Sequence, residues 1–200
     1  MRSRTRGILG TALVGIGVGA LGLHAAPATA GAAAPLLTYV GASGTGCPEG
    51  SVAATPTPDG AGATVIYSKF DVRSTGPVVV QHCALRFTVA AAPGTRATTL
   101  AVQHRGGAVV PAGGHAGVTT SYEWGGGDGG FQNSWTKEGA YSGPWQLDDT
   151  LPADGAARCG GTTELVLRVF AHVRGADGLV QPETADGRLT GALRAGAQRC

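Results

Sequence analysis

Apolar side chains that alternate with polar ones, in short runs cut by glycine and proline, constrain this chain more than any other feature. In Cys83, Leu85, Phe87 and Val89 one face is apolar while His82, Arg86 and Thr88 point the other way, the pattern of a half-buried strand. Leu165, Leu167, Val169, Ala171 and Val173 repeat it, with Arg168 and His172 opposite. A further strand is expected through Ile66, Phe70 and Val72, with Tyr67 and Lys69 outward, and weaker ones over 98–104, 118–124, 131–136 and 187–194. The 35 glycines and 11 prolines place breakers at Asp59-Gly60, Pro93-Gly94, Arg105-Gly106-Gly107, Gly125 to Gly130, Gly143-Pro144 and Gly175 to Gly178. Outside the first thirty residues no window of about twelve or more holds a helical period, so helices are not major elements. The expected fold is all-β, an antiparallel β-sandwich of about eight strands.

The N-terminus reads as an export leader. Arg2, Arg4 and Arg6 precede an apolar run from Ile8 to Leu23, and Ala28-Thr29-Ala30 offers the small side chains a signal peptidase requires. A membrane anchor is the competing reading, but the run falls just short of the roughly 18 apolar residues that span a bilayer. The expected organisation is a signal peptide over 1–30, an N-terminal arm or edge strand over 31–46, and one domain over 47–200. Removing the three leader arginines takes the formal charge of +2 to −1. That leaves no basic stripe for nucleic acid or anionic lipid, and no membrane association after cleavage is expected.

For a secreted chain, Cys47, Cys83, Cys159 and Cys200 are read as two disulfides before metal or redox chemistry. Four cysteines permit three pairings, and spacing alone does not choose among them. Cys47 with Cys83 and Cys159 with Cys200 is preferred, because each bond then joins sequence neighbours that a meandering sheet brings side by side. Each closed loop is worth about 4 kcal/mol in the chain-entropy account. No two cysteines have the close spacing of a zinc site, and no metal or cofactor is expected.

Catalytic signatures are sparse. His82, His104, His115 and His172 fall in separate segments, and neither a Gly-x-Ser-x-Gly elbow nor an H-E-x-x-H helix is present. His82 and His172 are expected on solvated strand faces, and His104 in a structural hydrogen bond. Asp148-Asp149, with Asp128, offers oxygens to calcium in principle, yet adjacent strand residues point to opposite faces, and solvation in a loop is expected. Glu123 and Glu138 form a glycosidase pair only if the fold opposes them. Gly125 to Gly130 reads as a hairpin tip, since no helix N-terminus or lysine follows to complete a phosphate cradle.

Two regions suit binding. Trp124, Trp135, Trp145, Tyr122 and Tyr141 fall close together, so some of Trp124, Trp135, Tyr141 and Trp145 are expected at a contact surface and the rest in the core. Ahead of the first cysteine, Leu36, Leu37 and Tyr39 lie in a segment that either adds a strand to its own sheet or inserts into another protein.

Several landmarks in order resemble an uncharacterised family of small secreted proteins, common in actinomycetes and found in fungi, known as a domain of unknown function. They are Ser43-Gly44-Thr45-Gly46-Cys47-Pro48-Glu49-Gly50-Ser51-Val52, Thr64-Val65-Ile66-Tyr67, His82-Cys83-Ala84-Leu85 and His104-Arg105-Gly106. Gly117-Val118, Ser121-Tyr122-Glu123-Trp124, Gly143-Pro144, Arg158-Cys159-Gly160 and the terminal Cys200 follow. His82 stands where the family usually has Asn, and His104 where it usually has Tyr. The resemblance implies a secreted β-sandwich with two disulfides and no established activity. In size, export and cysteine content the chain is also similar to bridging subunits of secreted actinomycete toxin particles. The expected function is therefore non-enzymatic binding of another secreted protein, as an adaptor or assembly subunit. A carbohydrate-binding module is the alternative, and a small hydrolase or protease inhibitor the third class.

Overall fold

The computed structural model describes residues 35–125, 130–152, 160–182 and 189–199. The expected leader, residues 31–34 of the arm, Asp128, Cys159 and Cys200 lie outside the described residues, and so does the preferred Cys159–Cys200 bond. Ten strands are described: β1 (Leu36–Ser43), β2 (Val52–Pro56), β3 (Gly62–Tyr67), β4 (Val72–Ala90), β5 (Thr95–Val110), β6 (His115–Trp124), β7 (Phe131–Glu138), β8 (Tyr141–Pro152), β9 (Thr162–Gln181) and β10 (Leu189–Arg199). Every pairing between them is antiparallel.

The pairings form two ladders. One runs β1-β4-β9-β6-β7, with β4 and β9 paired from Val72↔Val180 to Ala90↔Thr162. The other runs β2-β3-β10-β5-β8. They join where the end of β9 pairs with β5, from Gly107↔Gln181 to Val109↔Leu179. Cys83, Leu85, Phe87 and Val89 of β4, with Leu165, Leu167, Val169, Ala171 and Val173 of β9, are fully buried, as their alternation predicts. Leu100 and Val102 of β5 and Leu147 and Leu151 of β8 line the same core from the second ladder. Removing a buried leucine side chain here costs about 2–5 kcal/mol. The Cys47–Cys83 disulfide, with a Cα–Cα distance of 5.4 Å, ties the loop after β1 to the centre of β4.

Several sequence expectations require correction. Ten strands are described where about eight were expected: β8 runs through the Gly143-Pro144 breaker, β2 was not foreseen, and β1 takes the edge-strand alternative for the arm. The strand drawn through Ile66, Phe70 and Val72 ends instead at Tyr67, and its inward face is Ala63, Val65 and Tyr67. A bend at Ser68 and Lys69 re-phases the chain, so Tyr67 and Phe70 are both buried. Gly143-Pro144 does not break β8: among the described residues that strand pairs with β5 alone, and an edge strand tolerates a residue without an N–H. Nor do Gly106 and Gly107 end β5. A Cβ on Gly106 would fall 2.6 Å from the Trp145 ring and 2.7 Å from the Pro182 Cα, so glycine is needed there for close approach.

Candidate binding face

The outward face of the first ladder carries the most chemistry in the smallest area. Strand pairing sets Val80 beside His172, His82 beside Phe170 and Ala84 beside Arg168. On the far side of β9, Gly117 lies beside His172, Thr119 beside Phe170 and Ser121 beside Arg168. Residues that face each other across a ladder share a face, so these side chains form one surface. Val78, in the register shift between Gly76 and Val79, is 56% exposed, Val80 is 57% exposed and Phe170 is 37% exposed.

Polar groups frame this apolar centre. The His82 ring stacks on Phe170 at 5.8 Å with an interplanar angle of 27°. Arg168 Nη1 donates to Glu123 Oε2 at 2.6 Å across β9 and β6. His115 and His172 stack at 4.9 Å, and burial together with the neighbouring His115 lowers the pKa of His172.

The Gly-Thr-Gly-Cys segment holds His82 in place. Thr45 Oγ1 accepts from the His82 backbone N–H at 3.1 Å, and the Gly46 N–H donates to the His82 carbonyl at 2.8 Å. Gly46 lies against the Phe70 ring so closely that a Cβ has no room. The motif that carries the family resemblance is thus a loop pressed flat beside the disulfide.

A second cluster lies inside. His104 of β5, Tyr122 and Thr120 of β6, and Asp149 of β8 are buried together. Thr120 Oγ1 donates to Asp149 Oδ2 at 2.7 Å, Asn133 Nδ2 donates to Asp149 Oδ1 at 2.7 Å, and the Tyr122 hydroxyl also donates to Asp149 Oδ2. Tyr122 has one hydroxyl hydrogen, so toward His104 Nε2, 2.8 Å away, it is the acceptor. His104 is therefore protonated on Nε2, and its buried Nδ1 has no partner among the described residues. Burial drives the His104 pKa down to about 4, against the opposing pull of Asp149 and Asp148. Hence its 3.7 Å approach to Asp149 is a contact with a neutral ring, not an ion pair. Burial, and then the hydrogen bond to Asp149, raises the Tyr122 pKa above its ordinary range.

The sequence expectations distribute unevenly over these clusters. His104 makes the structural hydrogen bond expected of it. Asp148 and Asp149 are not in a loop: both lie in β8, on opposite faces, with Asp149 buried and Asp148 exposed. Hydrogen bonds from Gln146 Nε2 at 2.6 Å and Gln103 Nε2 at 2.7 Å lower the Asp148 pKa. Glu123 and Glu138 share a face, but Glu138 pairs with His115, eight positions from Glu123 along β6. That places the carboxylates roughly 25 Å apart, well beyond either glycosidase spacing.

Of the expected contact residues, Trp124 and Trp145 are buried, and Trp145 Nε1 donates to the Gly107 carbonyl at 3.1 Å. Trp135 is half-buried, stacked on Trp145 at 5.9 Å and 6.0 Å from the half-buried Tyr141. Leu36 is exposed, Leu37 is buried, and Tyr39 is half-buried with its ring edge-on to Phe87. The segment of Leu36 and Tyr39 pairs with β4, so over these residues it is an edge strand. Sequence reasoning missed Val78, Val80 and Phe170. The signal for Phe170 was present: the period of β9 puts it on the polar face with Arg168 and His172.

Among the described residues no helix is long and apolar enough to cross a membrane. No curated protein matches the chain. Among solved structures, the carbohydrate-binding module TmCBM61, determined in complex with β-1,4-galactotriose, is 12% identical over 80% of this chain and 88% of that one, with a TM-score of 0.29. The family model for the domain of unknown function DUF4360 matches residues 34–200, and the chain therefore belongs to the DUF4360 family.

Proposed function

We propose that this protein is a secreted, non-enzymatic binding domain, and that it engages another secreted protein through the outward face of β4, β9 and β6. The two ladders are read as the layers of a β-sandwich, closed by a second bond between Cys159 and Cys200. The observation that supports the reading is that Val78, Val80 and Phe170 are all exposed on the outward face of two paired strands, with Val80 diagonal to Phe170. Scattered exposed apolar residues need no explanation, but a contiguous group rimmed by polar side chains has the composition of an interface. The rim here is His82, His172 and the Arg168–Glu123 pair. Exposed Leu36 and half-buried Trp135 and Tyr141, on edge strands, offer an adaptor its second contact.

Catalysis is disfavoured by accessibility. Among the described residues, His104 and Asp149, a histidine and an acid that share one hydrogen-bonded cluster, are closed to solvent. A carbohydrate platform of three tryptophans is less well supported, because Trp124 and Trp145 are interior and Trp135 is half-buried.

Chemical crosslinking of native culture supernatant, followed by purification of this chain, tests the reading. The expected result is a defined second protein joined to the wild type and lost from a Val80→Glu, Phe170→Glu double variant of unchanged circular dichroism. Recovery of monomer alone, or equal capture by the double variant, contradicts it.

A further inference from the structure

His115 opens β6 and His172 lies in β9, and the two imidazoles meet at one end of the outward face. His172 Nε2 lies 3.1 Å from His115 Nδ1, and both side chains are half-buried. The placement depends on Gly117, the strand partner of His172: a Cβ there would fall 2.5 Å from His172 Cε1. Only glycine lets the His172 ring lie flat across β6 and reach His115.

We propose that His115 and His172 form a two-imidazole chelate for a divalent late-transition-metal ion, Cu2+ in preference to Zn2+. Histidine nitrogens bind such ions at about 2.0–2.1 Å, so two donors 3.1 Å apart subtend about 100° at the metal. That angle suits neighbouring ligands of a tetragonal or tetrahedral ion. A modest rotation of each ring about its Cβ–Cγ bond turns the two lone pairs from each other onto the metal. Copper is preferred because it heads the affinity order for nitrogen donors and accepts tetragonal geometry. The donors are already adjacent on a hydrogen-bonded ladder, so binding orders little that is not already ordered.

The surroundings set limits on the site. Glu138 faces His115 across β7, and with Val78 and Arg174 these residues line a hollow of about 390 Å³. The Glu138 carboxylate favours a cation there, while Arg174, the strand partner of His115 in β9, opposes it. Among the described residues no three His, Cys, Asp or Glu side chains form a metal cage. The chelate thus supplies two protein ligands, and water or a donor from a bound partner completes the coordination. This inference stands independently of the partner-binding reading.

The test is titration of the untagged exported protein with CuCl2, followed by isothermal calorimetry and electron paramagnetic resonance. One Cu2+ per chain is expected, with hyperfine structure from two imidazole nitrogens. His115→Ala or His172→Ala weakens binding by about tenfold or more. Gly117→Ala, which removes no ligand but displaces the His172 ring, weakens binding as well. Absence of saturable binding to the wild type overturns the proposal, as does binding that survives both histidine substitutions.

Discussion

His104 and the His115–His172 pair use the same side chain in opposite ways, and burial makes the difference. His104 lies between the ladders, kept neutral by its surroundings and fixed in one tautomer by Tyr122 and Asp149. The pair lies on the outward face, where solvent reaches both rings and each nitrogen has the other as a replaceable partner. The interior cluster holds the ladders in register, since its members come from β5, β6, β7 and β8. The exterior cluster is the chelate proposed above, half-buried and on the outward face. What separates a structural from a functional histidine here is accessibility together with the number of satisfied partners, and neither is visible in the residue type.

The largest effect that sharpens this contrast is expected at Asp149. Asp149→Ala removes the acceptor of the buried Thr120 and Tyr122 hydroxyls and of the half-buried Asn133 amide and destabilises the fold by about 3–5 kcal/mol, as urea denaturation will measure. Tyr122→Phe follows. It removes the link between His104 and Asp149 and leaves His104 Nε2 without its acceptor, at a cost of about 1–3 kcal/mol.

A pH dependence comes next. The folded pKa of His104, about 4, lies below its unfolded value, so between roughly pH 6.5 and 4 the unfolded chain binds a proton that the folded chain does not. Stability is therefore unaffected by this group above pH 6.5 and falls as the pH drops through that window, with a limiting slope of about 1.4 kcal/mol per pH unit. Urea midpoints across the window will show a shallower acid loss in His104→Gln than in the wild type. An equal slope in both would mean that another group carries the acid sensitivity. The smallest effect belongs to the outer face. His82→Ala and Phe170→Ala each change stability by less than about 1 kcal/mol, yet both weaken partner capture. A Phe170→Ala chain that unfolds in mild denaturant would show that this face belongs to the core.

Much of the strand content was legible in the sequence because strands buried on one face must alternate. The inward faces of β4 and β9 follow from residues read in order, and the preferred pairing of Cys47 with Cys83, one of the three that the spacing leaves open, is present. An uncharacterised family was expected from the cysteine contexts, and the chain belongs to one. Asp59-Gly60 and Pro93-Gly94 do punctuate the chain, but at Gly106 and Pro144 that reading failed for a consistent reason. Gly106 marks close approach by Trp145 and the chain beyond β9, and Pro144 is accommodated on an edge strand. Both are tertiary facts that local sequence does not encode. Asp149 misled for the same reason: an acidic pair suggests solvent until β6 supplies Tyr122 and Thr120 and β7 supplies Asn133. The exposed face was half legible, since Phe170 interrupts a polar series, whereas Val78 and Val80 acquire meaning only once β9 sets Phe170 diagonally across from Val80.

The most direct test of the outward face as a binding surface is carbene footprinting of the exported protein, alone and with its crosslinked partner. Partner-dependent protection is predicted at Val78, Val80 and Phe170, with labelling of the interior residues Leu85 and Tyr122 low and unchanged in both samples. Unchanged labelling of Val80 and Phe170 in the complex, with protection confined to Leu36–Val40 or to Trp135 and Tyr141, would contradict the account.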